Sequence, residues 1–128
     1  MTIAFEQKTA SESLKYLKEK INNTLIGLIY LKKIDWKKKE AELAYAIAKK
    51  TEGKGYMTQS VKKISDWAFN KHQLKTLQII VHKTNFGSIR VAEKVGFTWQ
   101  KVLVKEHTPP GEKPLDMELY ERYACHNV

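Results

Sequence analysis

Two short stretches of this sequence place chemically useful groups at spacings that a folded chain can bring to one ligand. The first is Tyr45-Ala-Ile-Ala-Lys-Lys-Thr-Glu-Gly53-Lys54-Gly55-Tyr56-Met57-Thr58, where an apolar run ends, two glycines follow and an amphipathic pattern begins. A strand that enters a helix through such a turn aims unpaired backbone N–H groups at one point. Glycine lets a ligand approach the backbone there, and the helix dipole adds about half a positive charge. A phosphate or pyrophosphate is the natural guest, and Lys54 strengthens the attraction. No Gly-Lys-Ser/Thr closes the loop and its third glycine is absent, so neither the Walker pattern nor the dinucleotide fingerprint fits. A tight turn without a ligand is the plain alternative. The second stretch holds Asn85 and Ser88, one helical turn apart. Their side chains can meet the same ligand, or Asn85 can simply cap a helix whose first turn contains Ser88.

Glu42 is the third candidate, the one charged residue in Ala41-Glu-Leu-Ala-Tyr-Ala-Ile-Ala48. A carboxylate on a central strand is costly unless paired or used, so it is either a general base or the partner of a nearby lysine. His72, His82, His107 and His126 show no metal-ligand spacing with Cys125, and no metal is expected. His82, close to Asn85, is a secondary candidate for proton transfer.

The elements that must carry these groups follow from periodicity. Leu14, Leu17 and Ile21 recur at helical spacing behind Ser11 and Ser13, predicting a helix over Ser11–Ile21. Thr24–Leu31 reads as a buried strand, with Gly27 marking a bulge or a close backbone approach. A solvated turn at Asp35–Lys39 leads to a central strand, Ala41–Ala48. Val61, Ile64, Trp67 and Ala68 predict a helix over Tyr56–Lys71. Then come a strand at Leu77–His82, a short helix at Asn85–Val95 stopped by Gly96, and a strand at Phe97–Lys105. The proline-containing loop His107–Pro114 precedes a last strand near Asp116–Arg122. This order predicts an α/β (α+β) mixed sheet with a parallel crossover through Tyr56–Lys71.

The chain has 128 residues, a formal charge of +9 and 42% hydrophobic residues, which fits one domain and argues against disorder. The longest apolar run, Leu25–Leu31, is too short to cross a bilayer, so no membrane partner is expected. The first eight residues lack the basic-then-apolar order of a secretory signal, and the expected location is the cytoplasm. Cys125 has no partner for an intramolecular disulfide. The positive charge rests on 21 scattered lysines and only Arg90 and Arg122, which favours a diffuse attraction for anions over guanidinium-based readout of nucleic acid.

In this order and separation, the segments resemble the GNAT superfamily of acetyl-CoA-dependent N-acetyltransferases, in its RimJ/RimL-like branch. The matching residues are Leu25-Ile26-Gly27, Ala41-Glu42-Leu43-Ala44-Tyr45, Gly53 to Tyr56, Asn85 with Ser88, and Glu93 to Phe97, within Thr24–Tyr123. The resemblance implies a single GNAT-like domain over residues 1–128 with a shortened N-terminus. It implies that the backbone at Ile47 and Ala48 meets the pantetheine arm of acetyl-CoA. Gly53, Lys54, Gly55, Tyr56 and Met57 would hold the pyrophosphate, and Asn85 the pantetheine or thiol end. Many enzymes of the family place a tyrosine acid seven residues after the Asn. That position is Ala92 here, which leaves Ser88 to serve the departing thiolate. Glu42 would be the base.

The resulting expectation is acetyl transfer from acetyl-CoA to a primary amine, on a small molecule or a protein N-terminus. With a shortened N-terminus, the acceptor side is open, completed by a second copy in a homodimer, or lost. The alternatives are a non-catalytic acyl-CoA-binding or protein-interaction module and, ranked last, a nucleic-acid-binding domain.

Overall fold

A computed structural model describes residues 3–4, 15–19, 24–47, 53 and 55–125 of the chain. Its elements run β1 (Ile3–Ala4), β2 (Lys15–Glu19), β3 (Thr24–Asp35), β4 (Glu40–Ile47), α1 (Tyr56–Lys71), β5 (Thr76–Val81), α2 (Phe86–Lys94), β6 (Thr98–His107) and β7 (Leu115–Tyr123). One sheet contains all seven strands in the order β1-β2-β3-β4-β5-β7-β6. Neighbours are antiparallel except β4 and β5, which run parallel and are joined through α1. The expected crossover and mixed sheet are therefore present.

The expected helix over Ser11–Ile21 does not form in its described middle. Lys15–Glu19 is instead β2, laid antiparallel on β3 from Lys15↔Ile29 to Glu19↔Thr24. A segment this short is a marginal helix by itself, and an available neighbouring backbone overrides the weak spacing signal. Ser11, Ser13, Leu14 and Ile21 lie outside the described residues. Between Leu17↔Gly27 and Lys18↔Leu25 the register shifts, so the bulge suggested by Gly27 is found beside it.

At the end of β3, Asp35 Oδ1 accepts hydrogen bonds from the backbone N–H groups of Lys37 and Lys38, both at 3.0 Å. This side-chain turn brings β4 back along β3. Ile29, Leu31, Ala41, Leu43, Leu77, Ile79 and Val81 then share one sheet face and are nearly inaccessible. Met57, Val61, Ile64 and Ala68 of α1 and Ala92 of α2 pack into the same core, together with Phe97. Arg122 of β7 pins α1 to the sheet. Its Nη2 lies 3.2 Å from Asp66 Oδ1 and its guanidinium sits 5.3 Å from the Phe69 ring centroid.

Candidate active site

Parallel pairing of β4 with β5 extends only through Glu40↔Thr76, Ala41↔Leu77 and Glu42↔Gln78. Past that point the carboxyl end of β4, the amino end of α1 and α2 enclose a cavity of about 760 Å³. Tyr45 and Ala46 line it from β4; Gly53, Gly55, Met57 and Thr58 from the turn and α1; and Thr84, Asn85, Ser88, Arg90 and Lys94 among residues at and along α2. Ligand sites in sheets with parallel crossovers characteristically lie at the carboxyl ends of strands that part in this way.

The α1 side of the cavity starts at a glycine-led turn. Gly55 is the residue before the helix, with φ 78° and ψ 2°, and provides no side-chain cap. The first described helical bond runs from Gln59 N–H to the Gly55 carbonyl at 3.1 Å, so the preceding first-turn N–H groups are donors without intrahelical acceptors. Gly53 is also left-handed, at φ 77°. A Cβ built at either glycine meets nothing within 4 Å. Open space in front of uncapped donors suits a pyrophosphate. Met57 is buried and lines the cavity, whereas Tyr56 packs against the core. Ile47 ends β4 opposite Gly27. Ala48 and Lys54 lie outside the described residues.

The α2 side is held by two hydrogen bonds. Asn85 Oδ1 accepts from Ser88 N–H at 3.2 Å, so Asn85 does cap the helix. That bond leaves the Asn85 amide NH₂ without a partner among the described residues, in a side chain that lines the cavity. Tyr45 O–H donates to the Ser88 carbonyl at 2.8 Å, tying β4 to the start of α2. Burial pushes the Tyr45 phenol up to about 12, which keeps it a protonated donor at neutral pH.

Glu42 stands apart from this arrangement. It is 7% exposed, does not line the cavity, and points to the sheet face opposite the core at the last pair before β4 and β5 separate. Lys32 Nζ is 3.4 Å from its Oε2, yet that oxygen has no hydrogen bond. The structure therefore provides the lysine partner and keeps the carboxylate at the apex of the gap. His82 is engaged locally: its Nδ1 accepts from Thr84 N–H at 3.2 Å and lies 2.7 Å from Thr84 Oγ1. The Nδ1 lone pair is thus occupied, and a neutral ring carries its proton on Nε2. His72 packs edge-on against Trp67 at 4.2 Å between ring centroids, and no metal-holding cluster occurs among the described residues.

Of the sequence candidates, Gly53, Gly55, Met57, Asn85 and Ser88 meet at one cavity, and Glu42 and Tyr56 do not line it. Tyr45, Thr58, Thr84, Arg90 and Lys94 are lining residues to which the sequence alone attached no role.

A family model described as "Acetyltransferase (GNAT) domain" matches residues 2–98. The chain belongs to the GNAT acetyltransferase family. Within this GNAT chain, 76 residues are 36% identical to YdaF of Bacillus subtilis strain 168, named provisionally as a ribosomal N-acetyltransferase; the match covers 59% of the chain and 42% of YdaF. A second match, 32% identical over 80 residues, is to spermidine N(1)-acetyltransferase of Escherichia coli K12 and covers 62% and 43% of the two chains. The GNAT chain thus spans less than half the length of these relatives in the matched regions. A solved Vibrio cholerae structure, titled provisionally as a ribosomal-protein-serine acetyltransferase, superposes with TM-score 0.80 over 89% of this chain and 65% of its own. At 18% identity that likeness shows the GNAT fold. No helix among the described residues is long and apolar enough to cross a membrane.

Proposed function

We propose that this chain, as one GNAT domain, binds acetyl-CoA in the 760 Å³ cavity and transfers the acetyl group to a primary amine. The observation that carries the reading is the convergence of two helix starts on one cavity: the uncapped, glycine-led start of α1 and the Asn85–Ser88 start of α2. Bound acetyl-CoA supplies a thioester carbonyl as the electrophile. The first-turn N–H groups of α1 meet the pyrophosphate, and Lys54 adds charge to the turn. Backbone at Ile47 and Ala48 aligns the pantetheine arm. The free Asn85 amide N–H groups donate to its thiol-proximal end, and Ser88 gives a proton or a hydrogen bond to the leaving sulfur. Glu42 takes the amine proton through water from its place at the apex of the gap.

The names of the relatives support two acceptor classes, polyamines and ribosomal protein amines; the latter agrees with the RimJ/RimL-like motifs. The cytoplasm, where both acceptors occur, is the proposed location, and a homodimer is the proposed assembly. The Lys32–Glu42 ion pair favours a second reading, an acyl-CoA-binding module without turnover, because it engages the carboxylate that would otherwise receive the amine proton.

Isothermal titration with acetyl-CoA, CoA and ATP at two salt concentrations tests the cofactor site, followed by assay against spermidine and an N-terminal ribosomal-protein peptide. Binding selective for the CoA ligands with acetylation of either amine is expected, along with loss of turnover but not of binding in Glu42→Gln. Selective binding without acetylation of any amine selects the second reading. No binding at either salt overturns both.

A further inference from the structure

On the sheet face away from the core, one lateral row of paired residues is polar from β3 to β7. Lys32 of β3 pairs with Glu42 of β4, Glu42 with Gln78 of β5, and Gln78 with Glu121 of β7. Register partners point to the same face, and neighbouring strands lie about 4.8 Å apart, so each side chain of the row is within reach of the next. The acetyl-transfer chemistry above uses neither Gln78 nor Glu121. Yet Gln78 stands directly beside the proposed base, at the last pair before β4 and β5 separate.

The hydrogen bonds of the row fix which way the Gln78 amide faces. Gln78 Nε2 donates to Glu121 Oε2 at 2.9 Å, and Glu121 Oε1 accepts from Tyr123 O–H at 2.8 Å. A carboxylate only accepts, so an amide turned end for end would set oxygen against oxygen there. The bond to Glu121 pushes the Tyr123 phenol above its usual value, which keeps it a donor. With its nitrogen held toward β7, the amide turns its oxygen away from β7, to the β4 side. Gln78 Oε1 has no partner among the described residues. It therefore stands next to Glu42 Oε2, a buried oxygen that also lacks a hydrogen bond. Two acceptors side by side with no donor between them match a guest that brings more than one N–H.

We infer that Gln78 Oε1 accepts a hydrogen bond from the attacking amine, that Glu121 is the positioning residue that aims it, and that the pair makes the site select primary over secondary amines. This rests on the acetyl-transfer reading above. A neutral primary amine brings two N–H bonds. As its lone pair closes on the thioester carbon and the carbon–sulfur bond breaks, one proton leaves through water to Glu42, and the sulfur takes up a proton at Ser88. The second N–H stays on nitrogen throughout, and Gln78 Oε1 holds it, which orients the lone pair. A secondary amine surrenders its one N–H and has none left for Gln78.

The test is steady-state kinetics of the wild type, Gln78→Met and Glu121→Gln with spermidine and with an N-terminal ribosomal-protein peptide, each beside a form methylated once on every primary amine. Calorimetry follows acetyl-CoA affinity, and circular dichroism follows the fold. Gln78→Met is expected to lower kcat/KM for the primary amine by about three- to tenfold, as for one lost hydrogen bond, and to leave the methylated amine and acetyl-CoA affinity within about twofold. An amide at position 121 pairs with Gln78 in either orientation, so Glu121→Gln should keep its melting temperature and lose part of the same discrimination. Being isosteric, it also carries the test should Gln78→Met fail to fold. An unchanged primary-to-methylated ratio in the variants, or an equal loss for both amines, overturns the role of the pair while leaving the acetyl-transfer reading standing. A wild type that acetylates neither primary amine overturns both.

Discussion

The two ends of the β4–α1–β5 unit treat their backbone polar groups in opposite ways. At the end of α1 near its last residue, the turn into β5 is closed by the chain itself. Leu74 N–H bonds to the Ala68 carbonyl at 3.1 Å, and the N–H groups of Lys75 and Thr76 both reach the Lys39 carbonyl, at 2.7 and 3.1 Å. Leu74 is 1% exposed, and His72 lies against Trp67 and Trp36. At the other end, roughly 24 Å away along a 16-residue helix, Gly55 provides no cap and a Cβ built there finds open space. One end meets its hydrogen-bonding needs with protein and packs. The other leaves donors unmet beside a cavity, and that asymmetry is what the proposed ligand site rests on.

Breaking the packed end should cost stability and spare binding. Leu74→Ala is expected to destabilise the chain by about 2–5 kcal/mol, with acetyl-CoA affinity of the folded fraction unchanged. Denaturant melts with calorimetry below the transition would show this, and a matching loss of affinity would mean that the two ends are not separable. Breaking the open end should do the reverse. Gly55→Trp is expected to weaken acetyl-CoA binding by about a hundredfold or more, roughly 2.7 kcal/mol. The left-handed φ of 78° adds strain of about 1–2 kcal/mol. Gly55→Ala carries the same strain without filling the space, so a retained affinity in Gly55→Ala beside a lost one in Gly55→Trp isolates occlusion. Micromolar affinity in Gly55→Trp would count against the site.

Tyr45→Phe probes the junction of the cavity walls. Removing the donor to the Ser88 carbonyl should cost about 1 kcal/mol of stability and lower turnover more than acetyl-CoA affinity, measured by thermal melts and steady-state kinetics. Unchanged kinetics would show that Ser88 needs no such tether. The smallest effect is expected at Asp66, away from both ends. Partial burial pulls its carboxyl upward, but Lys62 and Arg122 outweigh this and hold it below its usual value. A lowered folded-state value contributes stability above the unfolded pKa of about 3.9, which is lost as pH falls through the folded value. Asp66→Asn should therefore melt slightly earlier than wild type at pH 7, with the difference vanishing in acid. A difference that persists at pH 2 would assign the effect to packing.

The elements around the cavity were legible because their signals are local. Helical recurrence from Val61 to Ala68 bounds α1 at the expected Tyr56–Lys71, and Asn85 and Gly96 bracket α2. β3 and β6 run beyond their expected ends, to Asp35 and His107, because strand ends are decided by partners on β4 and β7. Lys15–Glu19 was misread as helix for the same reason: its structure is set by pairing with a neighbour, and spacing within ten residues cannot record that. At the site, the glycine turn and Asn85–Ser88 were readable as helix starts. The setting of Glu42 was not, since Lys32 reaches it through cross-strand register. Arg90 and Lys94 line the cavity as well, and only the placement of α2 beside α1 puts them there.

The brevity of the β4–β5 ladder also has a mechanical side. With three register pairs joining them, the β1–β4 and β5–β7–β6 portions of the sheet meet along a seam that is short compared with either portion. A seam this short predicts a compliant line between the two portions. A ligand held at once by α1 and α2 would brace the two portions like a strut across a hinge. Amide exchange in β4 and β5 should then slow together when the cavity fills, while β6 and β7, joined by their own longer ladder, respond little.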